Sequence, residues 1–227
     1  MKYNIIVSPK RKTVAVTVYP DTRVVVRVPK KLPQEKIDDI VKSKEDWIVK
    51  KIKYFQENKQ VEIKHKEYLD GEVFYFLGEK YELKILDGKK NNVQIIDNTI
   101  LVEVKQTSAK NVLLKWFFVQ AQNVFNQRLS YCFEIFSQKY SYQFPTLKIR
   151  KMKARWGSMS NKGGMVLNTF LIHTSVECID YVITHELCHL KHKNHSKSFY
   201  QTQETFMPNW KELKQKLESF HCEIKSF

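Results

Sequence analysis

Four of the chain's seven histidines fall within eleven residues, His185-Glu186-Leu187-Cys188-His189-Leu190-Lys191-His192-Lys193-Asn194-His195. That crowding constrains the fold more than any other feature. On an α-helix, residues four apart share a face about one turn, roughly 6 Å, from each other. His185 and His189 therefore meet only if the stretch is helical, and a third histidine joins them only if the helix then stops and the chain turns back. The flanking sequence predicts that helix. Thr174-Ser175-Val176-Glu177 reads as a capping box, which satisfies the free N–H groups at a helix start. Ile179, Ile183, Leu187 and Leu190 then recur at helical spacing and form a stripe to bury, with His185 and His189 on another face. Packing accounts for the stripe and leaves the histidines unexplained.

The chemistry that needs these residue types is metal-assisted hydrolysis. In an H-E-x-x-H arrangement the two histidines hold zinc and the glutamate, here Glu186, faces the water the metal carries. Zinc lowers the pKa of that water to about 7, and the carboxylate takes its proton as the oxygen attacks a carbonyl, then returns it to the leaving amine. His195 is the expected third ligand, because it follows His185 at the spacing of H-E-x-x-H-x-x-G-x-x-H peptidases. Glycine usually makes the turn in that pattern. Here His192 stands in its place, and Asn194, which tolerates a left-handed conformation, is the expected substitute. His192 is a poorer ligand: in a continued helix it would lie about 10 Å along the axis from His185. Glu204 is the alternative third ligand. Zn2+ is the expected cofactor, with manganese, cobalt and iron as other metals that three histidines accept. A solvated His- and Lys-rich helix end would explain Lys191, His192 and Lys193, but not a glutamate between two in-phase histidines.

Composition bounds the setting. Hydrophobic residues make up 42% of the 227, enough for the core of one large domain or two small ones. No stretch approaches the roughly 20 apolar residues that span a bilayer. Met1-Lys2-Tyr3-Asn4-Ile5 lacks the basic start and apolar run of a signal peptide. Cys132, Cys178, Cys188 and Cys222 form no C-x-x-C pair, so a reducing cytoplasm is the expected location. A net charge of +15 admits an acidic partner such as nucleic acid. Yet 33 of the 39 basic residues are Lys, spread along the chain, whereas phosphate recognition favours Arg. The expected partner is a peptide or protein substrate, with nucleic acid second and no membrane; oligomeric state is not legible.

Along the chain the pattern is α+β. Val14, Val16, Val18 and then Val24, Val26, Val28 alternate around the turn signal Pro20-Asp21 and predict a hairpin. Ile37, Ile40, Val41, Ile48, Ile52 and Phe55 follow the spacing of one amphipathic helix from Gln34 to about residues 54–58. The charge-rich residues 57–69 are a candidate boundary. Strand signals at 73–77, 81–86, 92–96 and 99–104 predict a small antiparallel sheet. Thr107 or Ser108 then caps a long helix with Leu113, Phe117, Ala121, Val124, Phe125, Cys132 and Phe136 on one face, expected beneath the histidine helix. A strand from Leu147 and another over 163–172 follow. If the second lies at a sheet edge, its backbone can take an extended peptide by strand addition, which makes Asn168 a candidate substrate contact or supporting residue. Arg155 is a candidate for stabilising an oxyanion or gripping a substrate carboxylate, against a structural role beside Trp156. His173, Tyr181, Tyr200 and Met207 are expected as packing or supporting residues. The expected division is a β-rich region over 1–105, with antiparallel strands and an amphipathic helix, and a catalytic region with long helices over 106–227.

Arg155-Trp156-Gly157-Ser158, Leu167-Asn168, Ile179-Asp180-Tyr181-Val182 and the run His185 to Ser196, with Phe199 and Met207-Pro208 beyond, resemble the YgjP-like metallopeptidase family. The N-terminal hairpin and the helix around Trp47-Ile48 are similar too, so the resemblance covers most of the chain. It implies a zincin-like catalytic half with zinc on His185, His189 and His195 and with Glu186 as base. It also implies kinship with SprT-type proteases, some of which digest proteins crosslinked to DNA. The alternatives to a plain peptidase are accordingly a DNA-dependent protease or a nucleic-acid binder with structural zinc.

Overall fold

Residues 2–9, 11–19, 21–57, 66–153 and 155–224 are described by the structure, a computed structural model. The elements are α+β and fall into two units, Met1–Ile63 and Lys64–Phe227, each with its own hydrophobic core. The candidate boundary at 57–69 lies mostly outside the described residues. Strands from residue 73 to 104 belong to the second unit, where they share a core with the long helices.

In the first unit, β1 (Asn4–Val7), β2 (Ala15–Val18) and β3 (Val24–Val28) form a sheet in the order β1-β3-β2. The expected hairpin is present, with Val16 opposite Val26 and Val18 opposite Val24. Thr22 takes the left-handed conformation that closes its turn (φ 66°), while Pro20 lies outside the described residues. β1 joins β3 in parallel, so the sheet is mixed. The single helix expected from Gln34 is two: α1 (Gln34–Lys42) and α2 (Glu45–Glu57). The Ser43 hydroxyl donates to the Ile40 carbonyl at 2.8 Å and Lys44 N–H to Val41 at 3.1 Å, and this three-residue tightening ends α1. The apolar spacing survives the break, with Ile37, Val41 and Ile48 buried together with Val24, Val26 and Val28.

The second unit starts with β4 (Val73–Phe76), β5 (Glu79–Asp87), β6 (Asn92–Ile96) and β7 (Thr99–Val104), in the order β4-β5-β7-β6. All four expected strands form, but β5 and β7 run parallel, so the sheet is mixed rather than antiparallel. Tight turns with left-handed Leu77 and Asp97 close the β4–β5 and β6–β7 hairpins, and the β6–β7 hairpin then docks through β7. Next, α3 (Ala109–Ser137) is capped by Ser108, whose side chain accepts Asn111 N–H at 3.3 Å. Leu113, Phe117, Ala121, Phe125, Leu129, Cys132 and Phe136 make its buried stripe. β8 (Thr146–Arg150), β9 (Gly157–Met159) and β10 (Gly164–Asn168) follow, then a 3-10 turn over Thr169–His173 and three helices, α4 (Val176–Lys191), α5 (Lys197–Phe206) and α6 (Trp210–Ile224). α4 packs on α3, as expected, and the two are tied by Arg128, which makes paired hydrogen bonds of 2.7 and 2.6 Å to Asp180.

His173 is fully enclosed in this core, with its Nδ1 2.6 Å from the Tyr75 carbonyl and its ring against Phe117. Burial pushes it down to about 4, so the folded protein keeps it neutral while an unfolded chain takes a proton near pH 6.5. The folded state thus gains stability that is present above the unfolded value and is lost as pH falls through the window from 6.5 to 4. Metal-free wild type is expected to lose about 2 kcal/mol more than His173→Gln between neutral pH and pH 5, read by urea denaturation. Parallel losses in the two proteins would refute this.

Candidate metal centre

The histidine helix forms, with two local differences. It starts at Val176 with Ser175 as N-cap, one residue later than a Thr174 box requires, and the Ser175 side chain makes no capping hydrogen bond. The Thr174 hydroxyl donates instead to the Leu171 carbonyl at 2.8 Å, closing the preceding 3-10 turn. At the other end α4 stops at Lys191, and His192 goes extended (φ −121°, ψ 115°). Asn194 does not take a left-handed conformation. The chain turns back without one, because the extended His192 redirects it and Ser196 caps the next helix by accepting Phe199 N–H at 3.4 Å.

This turn brings His195 back to the helix. His185, His189 and His195 each offer a ring nitrogen, and the three nitrogens lie within 4.8 Å of one another. The Nε2 atoms of His185 and His195 are 2.9 Å apart. Glu204 is exposed on α5 and outside the cluster, and His192 turns away, with its Nε2 2.9 Å from the Thr202 hydroxyl. The buried ring of Phe199 forms a floor, its centroid 4.9, 4.7 and 4.8 Å from those of His185, His189 and His195. The remaining nitrogens are anchored. His189 Nδ1 lies 2.9 Å from the His192 carbonyl, and His185 Nδ1 lies 3.2 Å from Oε1 of the buried Gln203. Burial, helped by the other two histidines, pushes His185 down to about 4, and burial likewise lowers His195. Both are therefore held neutral, the form that ligates metal.

Glu186 faces the same cavity, an open cleft of about 570 Å³ also lined by Arg155, Tyr181, Lys193, Lys214 and Leu217. Its carboxyl is buried, which pushes it up to about 7 against the opposing pull of a hydrogen bond from Met159 N–H and of the Arg155 guanidinium. A carboxyl balanced there both accepts and releases protons near neutrality. β9 is its seat. A Cβ on Gly157 would lie 2.7 Å from Glu186 Oε1 and 2.9 Å from its Cγ, so the strand approaches this closely only as glycine.

Other expected residues fall elsewhere. β10 is the central strand of β8-β10-β9, so it offers no free edge to a peptide, which corrects that expectation; β9 and β8 are the edges. Asn168, at the end of β10, lies outside the cleft and clamps the segment that carries Arg155. Its Oδ1 accepts Met152 and Phe170 N–H, both at 3.3 Å, and its Nδ2 donates to the Met152 and Arg155 carbonyls, both at 2.9 Å. Asn168→Ala is expected to cost about 2–3 kcal/mol in denaturant unfolding, because it strands buried backbone groups. An unchanged midpoint would deny the clamp. Tyr200 lies beside His195, and Met207 packs in the core rather than in the cleft. Sequence reasoning missed Gly157, Met159 and Gln203. Gln203 had a signal, since it is polar yet in phase with Phe199 and Phe206 on the buried side of α5.

Comparisons with known proteins identify the family. A family profile described as a YgjP-like metallopeptidase domain matches residues 12–220. Among solved structures, the metallopeptidase zymogen jannalysin of Methanocaldococcus jannaschii is 24% identical with a TM-score of 0.34, over 44% of this chain and 94% of that one. The zymogen abylysin of Pyrococcus abyssi is 22% identical with a TM-score of 0.33, over 47% of this chain and 92% of that one. No curated protein matches the sequence. With the profile spanning most of its length, the chain belongs to the YgjP-like metallopeptidase domain family.

Proposed function

We propose that this peptidase depends on zinc held by His185, His189 and His195, with Glu186 as general base. The observation that carries the reading is the convergence of three imidazole nitrogens beside a seated carboxyl. The donor set fits the ion. Two imidazole nitrogens 2.9 Å apart repel through their lone pairs unless a proton or a cation lies between them. Three imidazoles form an open catalytic site, whereas a structural zinc is closed by four protein ligands, and only three gather here among the described residues. When bound, zinc supplies Lewis acidity toward the peptide carbonyl and the attacking water. Glu186 accepts the proton of that water and passes it to the leaving amine. Met159 N–H and Arg155 hold the carboxylate toward the cleft and favour its ionised form.

β9 supports a track for the substrate. Trp156 and Ser160 pair with β10 through Asn168 and Gly164, so the intervening Gly157 and Met159 direct their main-chain groups away from β10, toward the cleft. An extended peptide running along this edge would have its carbonyl delivered beside Glu186. The free thiols of Cys132, Cys178 and Cys188 fit a cytoplasmic setting, and among the described residues no helix is long and apolar enough to cross a membrane.

The second reading, a DNA-dependent protease, draws on Arg155, Lys193 and Lys214 at the cleft and on the net charge of +15. Casein turnover by the purified protein tests both. Cleavage that is lost to phenanthroline and restored by zinc supports the zinc peptidase, and cleavage only with DNA present selects the second reading. Cleavage that survives metal removal contradicts both.

A further inference from the structure

The two helical histidines are anchored in different ways. A main-chain carbonyl only accepts, so the His192 carbonyl at 2.9 Å requires His189 to carry its proton on Nδ1. His185 is anchored by an amide, which has two ends. Turned over, Gln203 would donate to Nδ1, drive the ring proton to Nε2 and block the nitrogen that faces His195. In the structure it is Oε1 that faces the ring, 3.2 Å from His185 Nδ1. Gln203 is wholly buried and its Nε2 makes no hydrogen bond, so the anchoring contact of the amide is Oε1 on His185. Phe199, one helical turn before Gln203, fixes the same face of α5 against the histidines.

We propose that Gln203 is a positioning residue, which locks His185 in the Nδ1–H tautomer and turns its Nε2 lone pair toward the metal site. The purpose of the lock rests on the three-histidine reading, but the lock itself exists without metal. A neutral amide orients the ring as a carboxylate would, without adding a negative charge behind it.

The test uses metal-free, 15N-labelled protein at about pH 8, where the imidazoles are neutral and their tautomers are read from long-range 1H–15N correlations. Wild type is expected to carry the His185 proton on Nδ1. Gln203→Leu, which offers no acceptor, should move a large share of it to Nε2, and Gln203→Glu, which only accepts, should keep it on Nδ1. Competition titration should give zinc binding weakened about 10–100-fold in the Leu variant and not in the Glu variant. A wild-type proton on Nε2, or a Leu variant with the wild-type tautomer and undiminished zinc affinity, overturns the proposal. If Gln203→Leu does not fold, the wild-type and Gln203→Glu tautomers still decide it. If no variant binds zinc, the tautomers again decide it, and only the zinc reading falls.

Discussion

Glu186→Gln is expected to lower kcat by at least ~10³-fold, about 4 kcal/mol in the barrier, while zinc content stays at the wild-type level. Glutamine keeps the size of the side chain and an oxygen for Met159 N–H, so the seat on β9 is preserved. It cannot accept a proton. Glu186 is not among the three converging ligands, so the metal site is left intact. Elemental analysis beside steady-state kinetics separates the two effects. A variant that retains turnover would remove Glu186 from the mechanism, and one that loses zinc together with turnover would make it structural.

Gly157→Ala is expected to lower kcat by about 10²-fold, the scale of a reacting group misplaced by about an ångström. The new methyl would sit 2.7, 2.9 and 3.1 Å from Glu186 Oε1, Cγ and Cδ. The end of a free glutamate would swing aside at little cost, but this one is only 5% exposed and held by Met159 N–H, so moving it breaks that hydrogen bond. Overpacking of this kind costs about 1–3 kcal/mol of stability, so kcat is to be measured well below the unfolding midpoint. Gly157 lies in an extended strand, so the cause is space and not backbone freedom. Full activity in a folded Gly157→Ala variant would mean that β9 and α4 part easily at this point.

The parts of the site that depend on position within one helix were legible in the sequence. The i, i+4 histidines, the Ile179–Ile183–Leu187 stripe and the Ser108 cap of α3 follow from local geometry, and each is found. What the sequence did not carry is set by tertiary pairing. Strand alternation is the same for a parallel and an antiparallel neighbour, so the parallel partnership of β5 and β7 was invisible. Edge status is likewise a property of the assembled sheet, and β10 proved central while β9 took the edge beside Glu186. The turn to His195 was misjudged for another reason. Glycine is one way to reverse a chain after a helix, and an extended His192 accomplishes it here while its carbonyl also anchors His189. Gly157 is ordinary as a turn residue in Arg155-Trp156-Gly157-Ser158, and its role emerges only when α4 brings Glu186 against it.

Zinc stoichiometry is the most direct test of the three-histidine site. Wild type and His195→Ala, both shown to be folded by circular dichroism, are dialysed against zinc and then against buffer, and their metal content is measured by elemental analysis. About one zinc per wild-type chain, mostly lost from the variant, is the predicted result. Zinc retained in full by His195→Ala, or absent from a folded wild type after loading, would contradict the site.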